Sequence, residues 1–333
     1  MIMSATSVLI SGLGACIPDK IVTNDEIAEL VDTSDEWIRS RSGIAERRVA
    51  GEGETASSLG ACAARKALAD AGVSRDEVDL IIVGTMSPDM PFPSTACLIQ
   101  AELGLKPIAA FDVVAACSGF LYILEVGLQM MRSGNYRHAL IIGAEKMSSI
   151  LDWQDRSTCV LFGDGAGAAL LTRSDLPDCG VGKVIIRADG SKMDLLNMPA
   201  GGSQLPASVD TVNTRQHFLK MNGKEIFKHA VREMGDITLE VIEKNGLKPE
   251  DIKCFIPHQA NIRIIESISK RLGVSMDRFY VNIDRYGNTS AASVPIAMWE
   301  ARQRGRFGPG DTILLTAFGA GLTWGGAVIR WPK

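Results

Sequence analysis

Short β-branched runs alternating with helix-length amphipathic stretches place this 333-residue chain in the α/β class, and an internal repeat divides it into two similar halves. The runs are Val78 to Val83, Ala139 to Ile142, Ala168 to Leu171, Cys254 to Ile256 and Thr312 to Thr316. Strands separated by helices predict parallel pairing. The repeat is seen twice at nearly the same spacing. Ala71-Gly72-Val73 through Asp76-Glu77-Val78 to Ile81-Ile82-Val83 returns about 174 positions later as Asn245-Gly246-Leu247, Glu250-Asp251-Ile252 and Phe255-Ile256-Pro257, and Gly134 to Gly143 returns as Gly310 to Gly319. Two weak matches at a consistent offset predict a duplication, with halves at 1–176 and 177–333 meeting near Ser174 to Val181.

Composition narrows the function. The chain is 46% AVILMFWYC and 22% charged, which excludes disorder. No apolar run approaches a membrane span, and Met1 to Ala5 lacks the positive region of a secretory signal, so a cytoplasmic protein is expected. A net charge of −4 supplies no global field toward nucleic acid or anionic lipid. Seven scattered cysteines without CxxC pairs predict reduced thiols, and four histidines without HxxxH spacing predict no metal site.

Along the chain, Phe111 to Phe120 (FDVVAACSGF) runs from a strand through small residues into an apolar helix, Leu121 to Met131, closed by Ser133-Gly134. Cys117 thus stands at a helix N-terminus, where free N–H groups and the helix dipole favour a thiolate and the small neighbours admit a substrate carbonyl. A buried, inert cysteine is the alternative. Gly163 to Ala168 (GDGAGA) matches a dinucleotide fingerprint but continues into a strand rather than a helix, so its glycines are assigned to close packing. His258 ends the strand Cys254 to Ile256 before the helix-forming Gln259 to Arg271. Arg285 to Ser293 (RYGNTSAAS) is the second-half counterpart of the Cys117 turn, with Asn288 about where the cysteine falls. Asn288 and neutral His258 are two donors suited to an enolate oxygen, and Asn288 is also a candidate helix cap.

Cys117 in DVVAACSGF, His258 in PHQANIRII and Asn288 in RYGNTSAAS together resemble the β-ketoacyl-acyl-carrier-protein synthase III family, as do Asp32 to Trp37, Gly43-Ile44 with Glu46-Arg47, FGDGAGAALL from Phe162 and FGAGLTWG from Phe318. The resemblance covers essentially the whole chain and implies a thiolase-like fold, two duplicated α/β halves in a layered α-β-α-β-α core. It implies an acyltransferase that needs no cofactor beyond a coenzyme A thioester as substrate. Acetyl-CoA or a similar acyl-CoA primer would acylate Cys117; malonyl-acyl-carrier-protein would then decarboxylate to an enolate held by His258 and Asn288, giving 3-oxoacyl-carrier protein and CO2 at the start of fatty acid biosynthesis. Ala320 stands where many members carry a third glycine in the oxyanion loop. A priming enzyme of a quinolone or polyketide pathway, a cysteine thioesterase and a silent carrier-binding scaffold are the competing readings.

The same resemblance places Trp37 and Arg156 on either side of the coenzyme A adenine, with Thr33 and Arg41 nearby. An aromatic face and a planar guanidinium suit a flat base. Lys224, Lys228 and Arg232 recur every four residues and, with Arg263, form a candidate docking patch for the acidic acyl carrier protein. Phe92 in Pro91 to Ser94 is expected to cross a homodimer interface toward the partner's acyl pocket, and Phe92, Met147, Phe162, Leu195 and Leu219 are the expected pocket wall.

Overall fold

Two sheets organise the chain, whose computed structural model describes residues 7–176 and 179–332. The first holds β1 (Ser7–Cys16), β2 (Leu80–Gly84), β3 (Ala109–Val113), β4 (His138–Glu145) and β5 (Gly165–Ser174), ordered β1-β5-β4-β2-β3. The second holds β6 (Gly180–Ala188), β7 (Cys254–Pro257), β8 (Thr312–Gly319) and β9 (Thr323–Arg330), ordered β7-β8-β9-β6. The junction expected at 176/177 and the opening segment Met1 to Ala5 lie at or outside the limits of the described residues.

The duplication is explicit in the pairing. Leu80 faces Ala139 in the parallel pair β2/β4, and Cys254 faces Ile313 in the parallel pair β7/β8, so both partners are displaced by the same repeat offset. The expectation of parallel strands throughout is corrected at β5, which runs antiparallel to both β4 and β1, and at β9, antiparallel to β8 and β6. A parallel return needs a crossover element. Only one-turn helices, Met147–Ser149 and Arg156–Cys159, separate β4 from β5, and three residues separate β8 from β9.

Five helices fill the layers: α1 (Ala56–Ala71), α2 (Gly119–Arg132), α3 (Gly223–Lys244), α4 (Ile262–Leu272) and α5 (Ser293–Gln303). Leu59, Ala63 and Ala67 of α1 pack with Ile81, Leu140 and Leu170 on the outer face of the first sheet. Phe120, Leu124 and Leu128 of α2 and Val294 and Met298 of α5 are buried between the sheets, against Ile82 and Ile141 on one side and Ile256 and Leu315 on the other. Met234 and Val241 of α3 and Ile265 and Ile268 of α4 cover the outer face of the second. The result is α-β-α-β-α layering. Among the described residues no helix is long and apolar enough to cross a membrane.

One cysteine expectation is overturned. Cys16 of β1 and Cys62 of α1 form a disulfide with Cα atoms 5.8 Å apart. Glycines let helix and strand come so close: a Cβ at Gly12 would lie 2.2 Å from the Ala67 carbonyl oxygen, and one at Gly14 2.2 Å from that of Ala63. Cys97, Cys117, Cys159, Cys179 and Cys254 are free thiols.

Candidate active site

The inner helices α2 and α5 begin at equivalent turns. Ala116–Ser118 precedes α2 and Ser290–Ala292 precedes α5, each a single 3-10 turn. Ala116 and Ser290, separated by the repeat offset, both adopt a positive φ, 46° and 47°. Cys117 is therefore matched by Ala291. Asn288 lies earlier in its turn, which corrects its expected alignment with the cysteine.

Cys117 is buried where the turn meets the end of β8: a Cβ on Gly319 would sit 2.6 Å from the Cys117 nitrogen, so glycine is needed for the approach. Placement at the mouth of α2 is as expected, but the thiol is not acidified. Burial pushes it up to about 12; hydrogen bonding toward Ser290 and Asn288 opposes this, and the negative charge of Glu145 adds to it. Loss of hydration outweighs the helix dipole, because both halves close over the turn. In the ligand-free protein Cys117 is a neutral thiol.

His258 follows β7 and donates its backbone N–H to Thr316 of β8 at 2.7 Å. Its Nδ1 lies 2.9 Å from Ser293 Oγ, which turns Nε2 toward the cavity. Burial drives its pKa down to about 3, so the ring is neutral at physiological pH. Asn288 is gripped by the other half: its N–H donates to the Leu161 carbonyl at 2.8 Å and its own carbonyl accepts from Gly163 at 3.1 Å. Its Oδ1 accepts the Ser290 N–H at 2.9 Å, as a cap does. That commitment leaves the two N–H bonds of Nδ2 for the cavity, which Asn288 lines with Cys117 and His258. The glycines of 163–167 serve packing, since a Cβ at Gly163 would meet the Tyr286 backbone carbonyl oxygen at 2.4 Å. Ala320 takes no positive φ, so its methyl is accommodated where a glycine was expected.

The cavity measures about 600 Å³ and reaches from Cys117 past Phe162 and Phe318 to a basic mouth bearing Arg41, Arg156, Lys224, Lys228 and Arg263. Trp37 stands there with both Arg41 and Arg156 guanidiniums 5.0 Å from its ring centre, and Arg156 donates to the Asp32 carbonyl at 2.8 Å. The Arg156 guanidinium lies too near the indole for a flat ring to sit between them. Thr33, beside Asp32, has a buried hydroxyl without a partner. Lys228 is paired with Glu225 at 2.7 Å and Arg232 with Glu233, while Arg263 rests on Phe227 at 5.4 Å. Of the expected wall Phe162 lines the cavity, while Met147 and Leu219 are packed behind it in one cluster and do not line it; the neighbour Leu196, not Leu195, faces the cavity, because the short strand Leu196–Asn197 turns that side chain inward. Phe92 is 84% exposed and lies outside the cavity.

Two participants escaped the sequence reading. Ser293 holds His258 and was visible only as a small helix-opening residue. Glu145 of β4 is a fully buried carboxylate that accepts from Thr85 Oγ1, Ser87 Oγ and the N–H groups of Met86, Ser87 and Ala291, and burial raises its pKa. The repeat offset was the available signal for both, since it pairs Ser293 with Gly119 and Glu145 with Gly319.

Comparison with known proteins agrees with this geometry. The family models for 3-oxoacyl-[acyl-carrier-protein] synthase III and its C-terminal region match residues 111–190 and 242–331. The chain is 52% identical to the β-ketoacyl-[acyl-carrier-protein] synthase III of Roseiflexus sp. (strain RS-1) over 321 residues, covering 96% of this chain and 97% of that protein. The crystal structure of 3-oxoacyl-[acyl-carrier-protein] synthase III from Aquifex aeolicus superposes with a TM-score of 0.89 at 46% identity, covering 98% of this chain and all of that one. A priming β-ketosynthase from a polyketide biosynthetic pathway gives 0.92 at 36% identity, covering 100% of this chain and 98% of that one. The chain belongs to the 3-oxoacyl-[acyl-carrier-protein] synthase III family of acyl-transferring condensing enzymes.

Proposed function

We propose that the chain condenses an acyl-CoA primer, acetyl-CoA foremost, with malonyl-acyl-carrier-protein to give 3-oxoacyl-carrier protein, CO2 and coenzyme A at the start of fatty acid synthesis. The observation that carries this reading is the convergence of Cys117, His258 and Asn288 on one cavity, a nucleophile from the first half facing two neutral donors from the second. In the first half-reaction the Cys117 sulfur bonds to the primer carbonyl carbon and the carbon–sulfur bond to coenzyme A breaks. The thiol proton ends on the departing sulfur, so the exchange needs no ionised cysteine at rest. The N–H groups of Cys117 and Ala320 are the proposed oxyanion donors, and Ala320 keeps its N–H despite its methyl.

In the second half-reaction the malonyl carboxylate leaves as CO2. The enolate oxygen is held by His258 Nε2 and Asn288 Nδ2, its carbon attacks the thioester, and the Cys117 thiolate that leaves takes a proton from solvent. Neutral donors suit this step, because a cationic histidine would hold the malonyl carboxylate as firmly as the enolate. No step calls on a metal or redox group.

The halves 1–176 and 177–333 are the proposed units, with the reaction at their seam. Trp37, Arg41 and Arg156, with Thr33 beside them, are assigned to the coenzyme A nucleotide, and Lys224, Lys228 and Arg263 to the carrier protein. A homodimer is supported by β3, an edge strand with every residue partly exposed, and by the exposed apolar side chains of Phe92 and Val114 beside it. In that dimer Phe92 reaches the partner's acyl pocket, whose near wall is Phe162.

The test supplies purified protein with primers of graded length and branching plus malonyl-carrier-protein, and follows CO2 and 3-oxo product. Stoichiometric release of both is expected. Thioester hydrolysis without CO2 would assign a thioesterase, and neither product a silent scaffold.

A further inference from the structure

The His258 ring has a partner that the equivalent place in the first half lacks. Ser293 opens α5, is buried, and puts its Oγ 2.9 Å from His258 Nδ1. The same oxygen accepts the Gln259 backbone N–H at 2.8 Å. A peptide N–H only donates, so this contact occupies an oxygen lone pair and leaves the hydroxyl hydrogen to be placed. Among the described residues His258 Nδ1 is the acceptor within reach of it. A buried hydroxyl hydrogen with no acceptor is costly, and donation to Nδ1 satisfies both groups.

The duplication gives independent support. The repeat offset carries His258 and Ser293 back onto Gly84 and Gly119, and these touch: a Cβ on Gly84 would lie 3.2 Å from the Gly119 carbonyl carbon. The same backbone contact thus carries ring and hydroxyl together in one half and neither in the other.

We infer that Ser293 is a positioning residue that donates to His258 Nδ1 and thereby holds the ring as the tautomer with its hydrogen on Nε2, aimed into the cavity. The inference rests on the proposed donor role of His258. The ring is neutral, so tautomer alone decides whether Nε2 donates or accepts. With hydrogen on Nε2 it donates to an enolate oxygen and has no lone pair there to take the Cys117 proton, which agrees with passage of that proton to the coenzyme A sulfur. The opposite tautomer would make His258 a base toward Cys117 and a poor holder of the enolate.

Long-range 1H–15N correlation spectra of the histidine-labelled wild type, with His258 assigned by its absence in His258→Ala, read the tautomer directly. A protonated Nε2 and a bare, hydrogen-bonded Nδ1 at neutral pH are expected; the reverse assignment overturns the inference whether or not any variant folds. In Ser293→Ala the Nδ1 shift should change, and malonyl decarboxylation should fall about 10-fold, a part of the roughly 100-fold or more lost with the donor itself. Acyl transfer to Cys117 should stay near wild type. Ser293→Thr, which keeps the hydroxyl, should restore decarboxylation. Equal losses in both half-reactions with an unmoved Nδ1 shift would reduce Ser293 to packing and overturn the inference. Should His258→Ala leave decarboxylation intact, the donor reading of His258 fails instead, and the wild-type spectrum still decides the tautomer.

Discussion

Two turns of the same construction, Ala116–Ser118 and Ser290–Ala292, are furnished in opposite ways. At the first, the side chain is Cys117, the opposing strand end offers Gly319, and the ring of His258 is present with Ser293 behind it. At the second, each partner has its counterpart at the repeat offset: Ala291 for Cys117, Glu145 for Gly319, Gly84 for His258 and Gly119 for Ser293. The Ala291 N–H donates to Glu145 Oε1 at 3.4 Å, whereas at the equivalent place the Cys117 nitrogen stands against Gly319, which carries no side chain. Duplication thus offers two equivalent centres. One is emptied around its turn and lined with donors, and the other is plugged by a carboxylate bound to the strand end Thr85 to Ser87. In the proposed reaction, reactivity follows side chains at matched backbone positions rather than the backbone itself.

The largest effect that can break this comparison is at the nucleophile. Cys117→Ser should show no acyl adduct by mass spectrometry after incubation with the primer, since a serine hydroxyl is a far weaker nucleophile without an adjacent base. Adding Ala291→Cys to Cys117→Ala should not restore labelling, because the second centre has neither a histidine nor space beside Glu145. Acylation of a cysteine at 291 would show that the turn suffices and the furnishing is incidental.

Next come the donors. His258→Ala and Asn288→Ala should each lower malonyl decarboxylation by on the order of 100-fold or more while acetyl transfer to Cys117 is largely kept. Stopped-flow measurement of each half-reaction separates the outcomes, and parallel losses would make both residues supports of the cavity.

A smaller effect sharpens the role of the plug. Glu145 raises the Cys117 thiol through its negative charge. In Glu145→Gln the shape is nearly kept and the charge removed, so thiolate forms more readily and the pH midpoint for alkylation of Cys117 moves down. A midpoint that did not move down would show that the Glu145 charge does not hold the thiol up. Glu145→Gln loses one accepting oxygen and Glu145→Leu loses both, orphaning donors of Thr85, Met86, Ser87 and Ala291, and each buried donor left unpaired costs about 1–3 kcal/mol.

Much of this arrangement was legible beforehand, for identifiable reasons. Strand runs and the echo between the halves are local patterns, and they gave the layering and duplication. Cys117, His258 and Asn288 were singled out because each stands at a strand end or turn and because their motifs resemble a known family, and the three line one cavity. The alignment of Asn288 with Cys117 failed because AACSG and NTSAAS are both strings of small residues; only the positive φ at Ala116 and Ser290 sets the match. The Cys16–Cys62 bond lay hidden because it depends on Gly12 and Gly14 drawing α1 onto β1, across 46 residues of separation. The elevated thiol was missed because a helix terminus is visible in sequence and the burial of a turn between two halves is not.

The smallest expected effects lie at the mouth of the cavity, where the comparison becomes one between two substrates. Trp37→Ala and Arg156→Ala remove groups assigned to a nucleotide that only the coenzyme A primer carries, so they should raise its KM and leave use of malonyl-carrier-protein nearly unchanged. Arg156 gives up its place on the indole and its bond to the Asp32 carbonyl when a base enters, so its loss should cost less than that of Trp37. Charge reversal at Arg263 or Lys224 should act on the carrier protein instead. Lys228 is the weaker choice, because Glu225 already offsets its charge at 2.7 Å. Exposed charges are screened beyond about 8 Å at physiological ionic strength, so the Arg263→Glu penalty should shrink as salt rises while the Trp37→Ala penalty, which is stacking, should not. Steady-state kinetics on both substrates at two salt concentrations checks this. Unaltered use of carrier protein by Arg263→Glu at low salt would remove the docking assignment, and the chemistry at Cys117 would stand.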